Sequence, residues 1–343
     1  MKKKPRHILV LRFSALGDVA MTIPAIYSFA LEHPEVKVTV ATRPFFARLF
    51  VGSPANLNVE GVDLNDYKGA GGLFRLVRIM GGIGADAVAD LHDVPRTRAI
   101  CAWLRLRGVR IARVDKRRRE RKRALRGKIR QQNFVDRYAD TFRRLGFNMT
   151  VDESALPHAW PAPPFEPSAY AVGIAPFARY ATKTCPPDSI REACRILASK
   201  GYDIYLFGGR GAEAATLAEW ERDSERIRSI AGKYTLEEEI SLMERMMVMV
   251  SMDSANQHLA SLAGTRVLTL WGATTPACGF MPYGQREEDS YFKDISCQPC
   301  SVAGTKNCPE GHPFCVAFPD PDTIASFIIR RIEHYQKQYT THL

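Results

Sequence analysis

The chain has 343 residues, 45% hydrophobic, 25% charged and 10% aromatic, with a net charge of +11. That length predicts two domains, and the composition excludes a largely disordered chain, a fibrous repeat and a disulfide-stapled miniprotein. No apolar run reaches the roughly 18–20 residues of a bilayer span, and Ile8 to Leu11, after the basic start Met1-Lys2-Lys3-Lys4-Pro5, is too short for a signal-peptide core. The expectation is a cytoplasmic protein whose eight cysteines are thiols or metal ligands before they are disulfides.

In chain order, short β-rich apolar runs alternate with helical patterns, which predicts an α/β fold with mostly parallel sheets. Ile8–Leu11 reads as a buried strand, Asp18–Leu31 as a helix, Val36–Ala41 and Asp86–Leu91 as strands. Ala99–Leu106 reads as helix, Val109–Ala112 as extended and Asn133–Leu145 as helix. Residues 158–168 then hold four prolines, which exclude helix and central strand and predict a linker between domains 1–157 and 169–320.

Beyond the linker the alternation restarts. Strands are predicted at Ala171–Ala175, Asp203–Phe207, Ile227–Ile230, Met247–Met252 and Val267–Trp271. Helices are predicted at Asp188–Ser199, Ala212–Arg222, Thr235–Glu244 and Ser254–Ala263. A loop-rich stretch, 279–315, precedes a last amphipathic helix over Thr323–Lys337, and 321–343 is expected to pack back on the N-terminal domain. Two such domains predict a ligand site in a cleft at the strand carboxyl ends.

The charge is local. Fourteen Lys or Arg lie between Arg105 and Arg130 against Asp115 and Glu120, so this segment carries +12 and the rest sums to −1. Such a block attracts a polyanion: nucleic acid, an anionic membrane surface or a phosphorylated glycolipid; the bland alternative is a solvated basic loop.

Three loops carry the chemistry. Arg12-Phe13-Ser14-Ala15-Leu16-Gly17-Asp18 follows the first strand without a G-x-G-x-x-G fingerprint. Asp18 there suits a helix N-cap or a general base. Met252-Asp253-Ser254-Ala255-Asn256-Gln257-His258 joins a strand to a helix, with Asp253 or Ser254 as the cap. The free amides at that helix start suit a diphosphate, and His258 lies about one turn on. Between them, Pro176–Pro187 holds Arg179, Thr182, Lys183 and Thr184, suited to phosphate binding and to neutralising a leaving group. Gly208-Gly209-Arg210-Gly211-Ala212-Glu213 allows close backbone approach to a ligand.

With the motifs Arg12–Val19, the Lys183 loop and Asp253–Ala260 in this order, the chain resembles glycosyltransferase family nine, the ADP-heptose–lipopolysaccharide heptosyltransferases, over nearly its whole length. The resemblance implies a GT-B architecture, two Rossmann-like domains facing a central cleft, with acceptor on the first and donor nucleotide on the second. It implies inverting, metal-independent transfer of heptose from a nucleotide-diphosphate sugar, ADP-heptose in the first place, to the lipopolysaccharide inner core, with no cofactor required. Asp18 matches the family's base and Lys183 the lysine on the donor phosphate. Asp253 and His258 match donor-site residues, with Ser254 and Ala255 in place of the family's Thr-Gly. Glu213 resembles the acid that holds the donor ribose, and Tyr234 aligns beside the adenine. Arg117, Arg118, Arg119, Arg121, Lys122 and Arg123 are then expected to face an anionic glycolipid acceptor, placing the protein at the inner face of the inner membrane, with no nucleic-acid partner.

Cys297, Cys300, Cys308 and Cys315 are spaced closely enough for a structural zinc, with free thiols or a disulfide as alternatives. Two other functions are weighed. A nucleic-acid-binding protein would use the basic segment, which has no aromatic from Ile111 to Ile129 for base stacking. A nucleotide-sugar epimerase would need acid/base groups around a sugar carbon and no lipid acceptor.

Overall fold

A computed structural model describes residues 4–125, 129–157, 159–304, 307–308, 310–311, 314–317 and 319–340, except the side chains at 122, 314, 317, 339 and 340. The chain divides into two compact units, 1–117 with 132–159, and 118–131 with 160–343.

In the first unit β1 (His7–Leu11), α1 (Leu16–Ala20), α2 (Ile23–Glu32), β2 (Lys37–Thr42), α3 (Pro44–Ala47) and β3 (Leu57–Gly61) lead to α4 (Gly69–Gly82). β4 (Ala87–Asp90), α5 (Pro95–Leu106) and β5 (Arg110–Arg113) follow. After α6 (Arg118–Ala124), which belongs to the second unit, α7 (Phe134–Arg144) closes the first. The five strands are parallel in the order β3-β2-β1-β4-β5. The order reverses between β1 and β4, so the chain leaves the carboxyl ends of these two neighbours in opposite directions and opens a crevice there. β1 and β4 are apolar on both faces because helices cover both. Leu76, Val77 and Met80 of α4 pack with Ile100 and Leu104 of α5 on one face. On the other, Phe29 of α2 stacks on Phe142 of α7 at 4.5 Å.

The single helix expected over 18–31 is two. Pro24 lacks an N–H and its ring would meet the carbonyl four residues back, so α1 ends and α2 restarts with Pro24 in its first turn.

The second unit runs β6 (Ala171–Ala175), α8 (Pro187–Ser199), β7 (Asp203–Leu206), α9 (Ala212–Trp220), β8 (Ile227–Ser229), α10 (Leu236–Glu244) and β9 (Val248–Met252). Then come α11 (Ala255–Leu262), β10 (Val267–Leu270), β11 (Ser290–Tyr291), α12 (Phe314–Ala317) and α13 (Pro321–Thr340). Its parallel sheet has the order β11-β10-β9-β6-β7-β8, reversing between β6 and β9.

Two segments lie elsewhere than the sequence suggests. The stretch 118–131, expected in the first domain, goes with the second unit, where the Gln131 amide donates to the Ala277 carbonyl at 2.9 Å and Arg130 pairs with Glu287. α13, expected to pack back on the N-terminal domain, lies against α8. Its Ile324, Ile328 and Ile332 join Ile190, Cys194 and Leu197 in one core, and Arg331 fixes it through Asp289 at 2.8 Å. The apolar stripe of α13 joins the buried apolar face of α8.

Candidate active site

At the crevice of the first sheet, Arg12 follows β1 as a buried cation. Its Nη1 donates to the Leu91 carbonyl at 2.6 Å, and Nη2 pairs with Asp18 at 2.7 Å. Burial works against the charge, but Asp18, together with Tyr138 and Asp90, outweighs it and holds the guanidinium above its ordinary pKa. Asp18 is not the N-cap of α1. It is the third residue of the helix, its carboxylate reaching back to the Ala15 amide at 3.3 Å while remaining partly exposed. His92, just past β4, lies within 3.2 Å of the Ser14 hydroxyl. Burial, followed by the charge of Arg12 and Lys116, lowers its pKa to about 3. Sequence reading names Arg12 only as part of a motif and passes over His92, since a residue 78 positions from Ser14 gives no local signal.

The second crevice gathers Lys183 and Asp253. Lys183 ends a 3-10 turn, Ala181–Lys183, in the loop after β6, and Asp253 directly follows β9. Nζ and Oδ2 are 2.7 Å apart. Asp253 also accepts from Thr274 Oγ1 at 2.6 Å and Gln257 Nε2 at 3.0 Å. Ser254 is the N-cap of α11 in extended backbone, but its side chain makes no capping bond and its hydroxyl instead meets that of Ser251 at 3.2 Å. Ala255 opens the helix. His258 is buried, 3.4 Å from Gln257 Nε2. Gln257 and Thr274 were not singled out in the sequence. Gln257 is four residues after Asp253, the spacing that puts two side chains on one helix face; Thr274 comes from a distant loop.

The loop after β7 places Glu213 in the first turn of α9, where its carboxylate accepts from the Gly209 amide at 2.6 Å. Tyr234 is half-buried between β8 and α10, its ring 6.0 Å from that of Phe165. Glu239 of α10 was missed because it sits in a run of three glutamates. Burial pushes its carboxyl up to about 7, against the opposing charge of Arg210 and the Gly232 amide.

The cysteine segment backs the Lys183 loop. Thr182 Oγ1 donates to the Gly304 carbonyl at 2.6 Å, so this hydroxyl proton is engaged within the protein. Gly304 has φ +70°, where any other residue is strained, and a Cβ there would displace the Lys183 side chain. Cys297, Cys300, Cys308 and Cys315 line one cavity of about 160 Å³ beside Ala181, Thr182 and Ala273. All four are free thiols, and burial together with the other three pushes the Cys315 thiol up. The spacing thus brings the expected four together, but among the described residues no three metal-binding side chains are arranged to hold a metal ion. His312, beside them in the sequence, lies outside the described residues.

Of the basic residues, Arg118, Arg119 and Arg123 are exposed, and Arg117 and Arg121 are half-buried. The side chain of Lys122 lies outside the described ones. The Arg117 amide donates to Asp115 Oδ1 at 2.8 Å.

The two parallel sheets, each opening a crevice at its reversal point, have the GT-B fold of solved heptosyltransferases. The family model of glycosyltransferase family 9 (heptosyltransferase) matches residues 73–310, and the chain belongs to that family. It is 22% identical over 279 residues to lipopolysaccharide heptosyltransferase 3 of Escherichia coli, covering 75% of this chain and 81% of that protein. The fold is similar to that of E. coli heptosyltransferase WaaC, solved with ADP-2-deoxy-2-fluoro heptose. There the TM-score is 0.66 at 18% identity, over 95% of this chain and 99% of that one. It is also similar to a family 9 glycosyltransferase from Veillonella parvula, with TM-score 0.71 at 16% identity, over 97% and 99%. The protein is therefore a glycosyltransferase of the heptosyltransferase family. Among the described residues, no helix is long and apolar enough to cross a membrane.

Proposed function

We propose that this enzyme transfers heptose from ADP-heptose to a hydroxyl of the lipopolysaccharide inner core, with inversion at the anomeric carbon. The observation that carries the reading is the Lys183–Asp253 pair at the crevice between β6 and β9, backed by Thr274 and Gln257. WaaC, solved with an ADP-heptose analogue, supports the donor class. In the reaction the bond from the anomeric carbon to the diphosphate breaks, and the leaving diphosphate gains negative charge. An ammonium has three N–H bonds, so Lys183 can keep Asp253 and still donate to a phosphate oxygen. The free amides at the start of α11 supply the second set of donors. Glu213 takes the ribose and Tyr234 the adenine. Asp18, oriented by Arg12, accepts the proton of the attacking hydroxyl. Arg117, Arg118, Arg119, Arg121, Lys122 and Arg123 attract the anionic glycolipid and hold the protein at the inner face of the inner membrane.

The test is a transfer assay with ADP-heptose and other nucleotide sugars against a truncated inner-core glycolipid. Mass spectrometry reads the added sugar and NMR its anomeric configuration. A product carrying heptose with the configuration opposite to the donor's is expected. Transfer only from a non-heptose donor, or retention of configuration, overturns the reading.

A further inference from the structure

Ser14 and His92 leave neighbouring strands, β1 and β4, at the reversal point of the first sheet. The Phe13 amide donates to His92 Nδ1 at 3.5 Å, and the Ser14 hydroxyl lies 3.2 Å from Nε2. A neutral imidazole carries one hydrogen. Because Nδ1 accepts from the Phe13 amide, that hydrogen is on Nε2 and points at Ser14. The Ser14 oxygen therefore accepts, and its own proton must turn away from the ring. Ser14 is half-buried and makes no other hydrogen bond among the described residues.

The ring stays neutral because of its surroundings. Burial disfavours its charge first, and Arg12, Lys116 and Arg43 repel a further proton, while Asp18 opposes them. Arg12, Lys116 and Arg43 act on this ring against Asp18, and a serine hydroxyl makes its strongest hydrogen bond to an anionic oxygen.

We infer that the Ser14 hydroxyl, its proton turned outward by His92, donates a hydrogen bond to a carboxylate or phosphate oxygen of the acceptor beside the hydroxyl that Asp18 activates. Ser14 is thus a specificity-determining contact and His92 the residue that positions it. The inference rests on the acceptor reading proposed above.

Steady-state transfer to the native glycolipid tests it, alongside two analogues, one with its carboxylates methylated and one dephosphorylated. Ser14→Ala is expected to raise the acceptor KM about tenfold with kcat and donor KM unchanged, and Ser14→Thr to restore it. The effect disappears on whichever analogue lacks the recognised group, which distinguishes carboxylate from phosphate. His92→Asn keeps an acceptor for the Phe13 amide but withdraws the donor from Ser14, and is expected to raise the acceptor KM by a smaller factor. If that variant fails to fold, the two Ser14 variants carry the test. An unchanged acceptor KM in Ser14→Ala, or an equal loss on all three acceptors, overturns the inference while leaving wild-type transfer, and so the functional reading, in place. Absence of transfer by the wild type overturns both.

Discussion

Lys183 Nζ lies 2.7 Å from Asp253 Oδ2, although 70 residues separate them in the chain. The contact exists because β6 and β9 are neighbours across the reversal of the second sheet. Their following loops therefore leave the same edge. The pair is largely buried, with side-chain exposures of 12% and 4%, so each charge depends on the other for its compensation.

That dependence is measurable. Removing one partner leaves a buried charge uncompensated, at a cost of about 3 kcal/mol, whereas removing both leaves none. Lys183→Met is expected to lower unfolding stability in urea by that amount, and Lys183→Met with Asp253→Asn to recover most of it. Strictly additive losses in the two single variants and the double one would mean the groups are not coupled. Lys183→Ala is also expected to weaken ADP by about 1.5–3 kcal/mol and adenosine much less, as read by calorimetry.

Asp18→Asn is isosteric and keeps a group near the Ala15 amide, but it takes the counter-charge from the buried Arg12, so unfolding stability is expected to fall by up to about 3 kcal/mol while ADP affinity remains. Transfer is expected to fall by roughly 10²–10⁴-fold, the usual worth of a general base. Near-wild-type turnover at neutral pH would reduce Asp18 to an ion-pair partner of Arg12.

Glu239 makes stability depend on pH. Its folded pKa, about 7, is raised above the ordinary carboxyl value of 4.5, chiefly by burial. The folded form thus holds a proton that the unfolded chain gives up first. Its contribution is full below pH 4.5 and lost as pH rises through 7. Glu239→Gln removes this loss, so its melting temperature relative to wild type is expected to be higher at pH 8 than at pH 5. A difference that does not change with pH would show that the carboxyl is ionised throughout.

The basic segment is tested by replacing Arg117, Arg118, Arg119, Arg121, Lys122 and Arg123 with Gln. The apparent KM for a membrane-embedded acceptor is expected to rise, each lost cation forfeiting about 1 kcal/mol at most, and added salt should mimic the change. ADP affinity should hold. Full acceptor affinity at low salt would leave the segment a solvated helix, and loss of tight RNA binding would point to nucleic acid instead.

The strands and most helices were legible because buried parallel strands are apolar runs and their helices carry one apolar face. α4 and β3 were not, since the glycines of Gly69–Gly82 weaken a helical signal and Leu57–Gly61 has only one buried residue, and neither were the short α3, α6, β11 and α12, which are too brief to carry a periodic pattern. Lys183, Asp253 and Asp18 stood in loops whose composition already suggested chemistry. Their partners, Thr274 for Asp253 and His92 for Ser14, come from distant parts of the chain, and only the strand order brings them near. Pro24 was overlooked as a helix breaker because it sits within an otherwise periodic stretch.

The second unit is discontinuous in sequence, with 118–131 joined to 160–343. A chimera that exchanges second units between relatives by one crossover at 159/160 would part α6 from its packing partner, the turn at Pro276–Cys278. Three crossovers, at 117/118, 131/132 and 159/160, keep the unit whole. They would also carry the cationic helix with the imported second unit. In this fold, then, a recombination that exchanges the second unit also exchanges the cationic helix, and the two are inherited together.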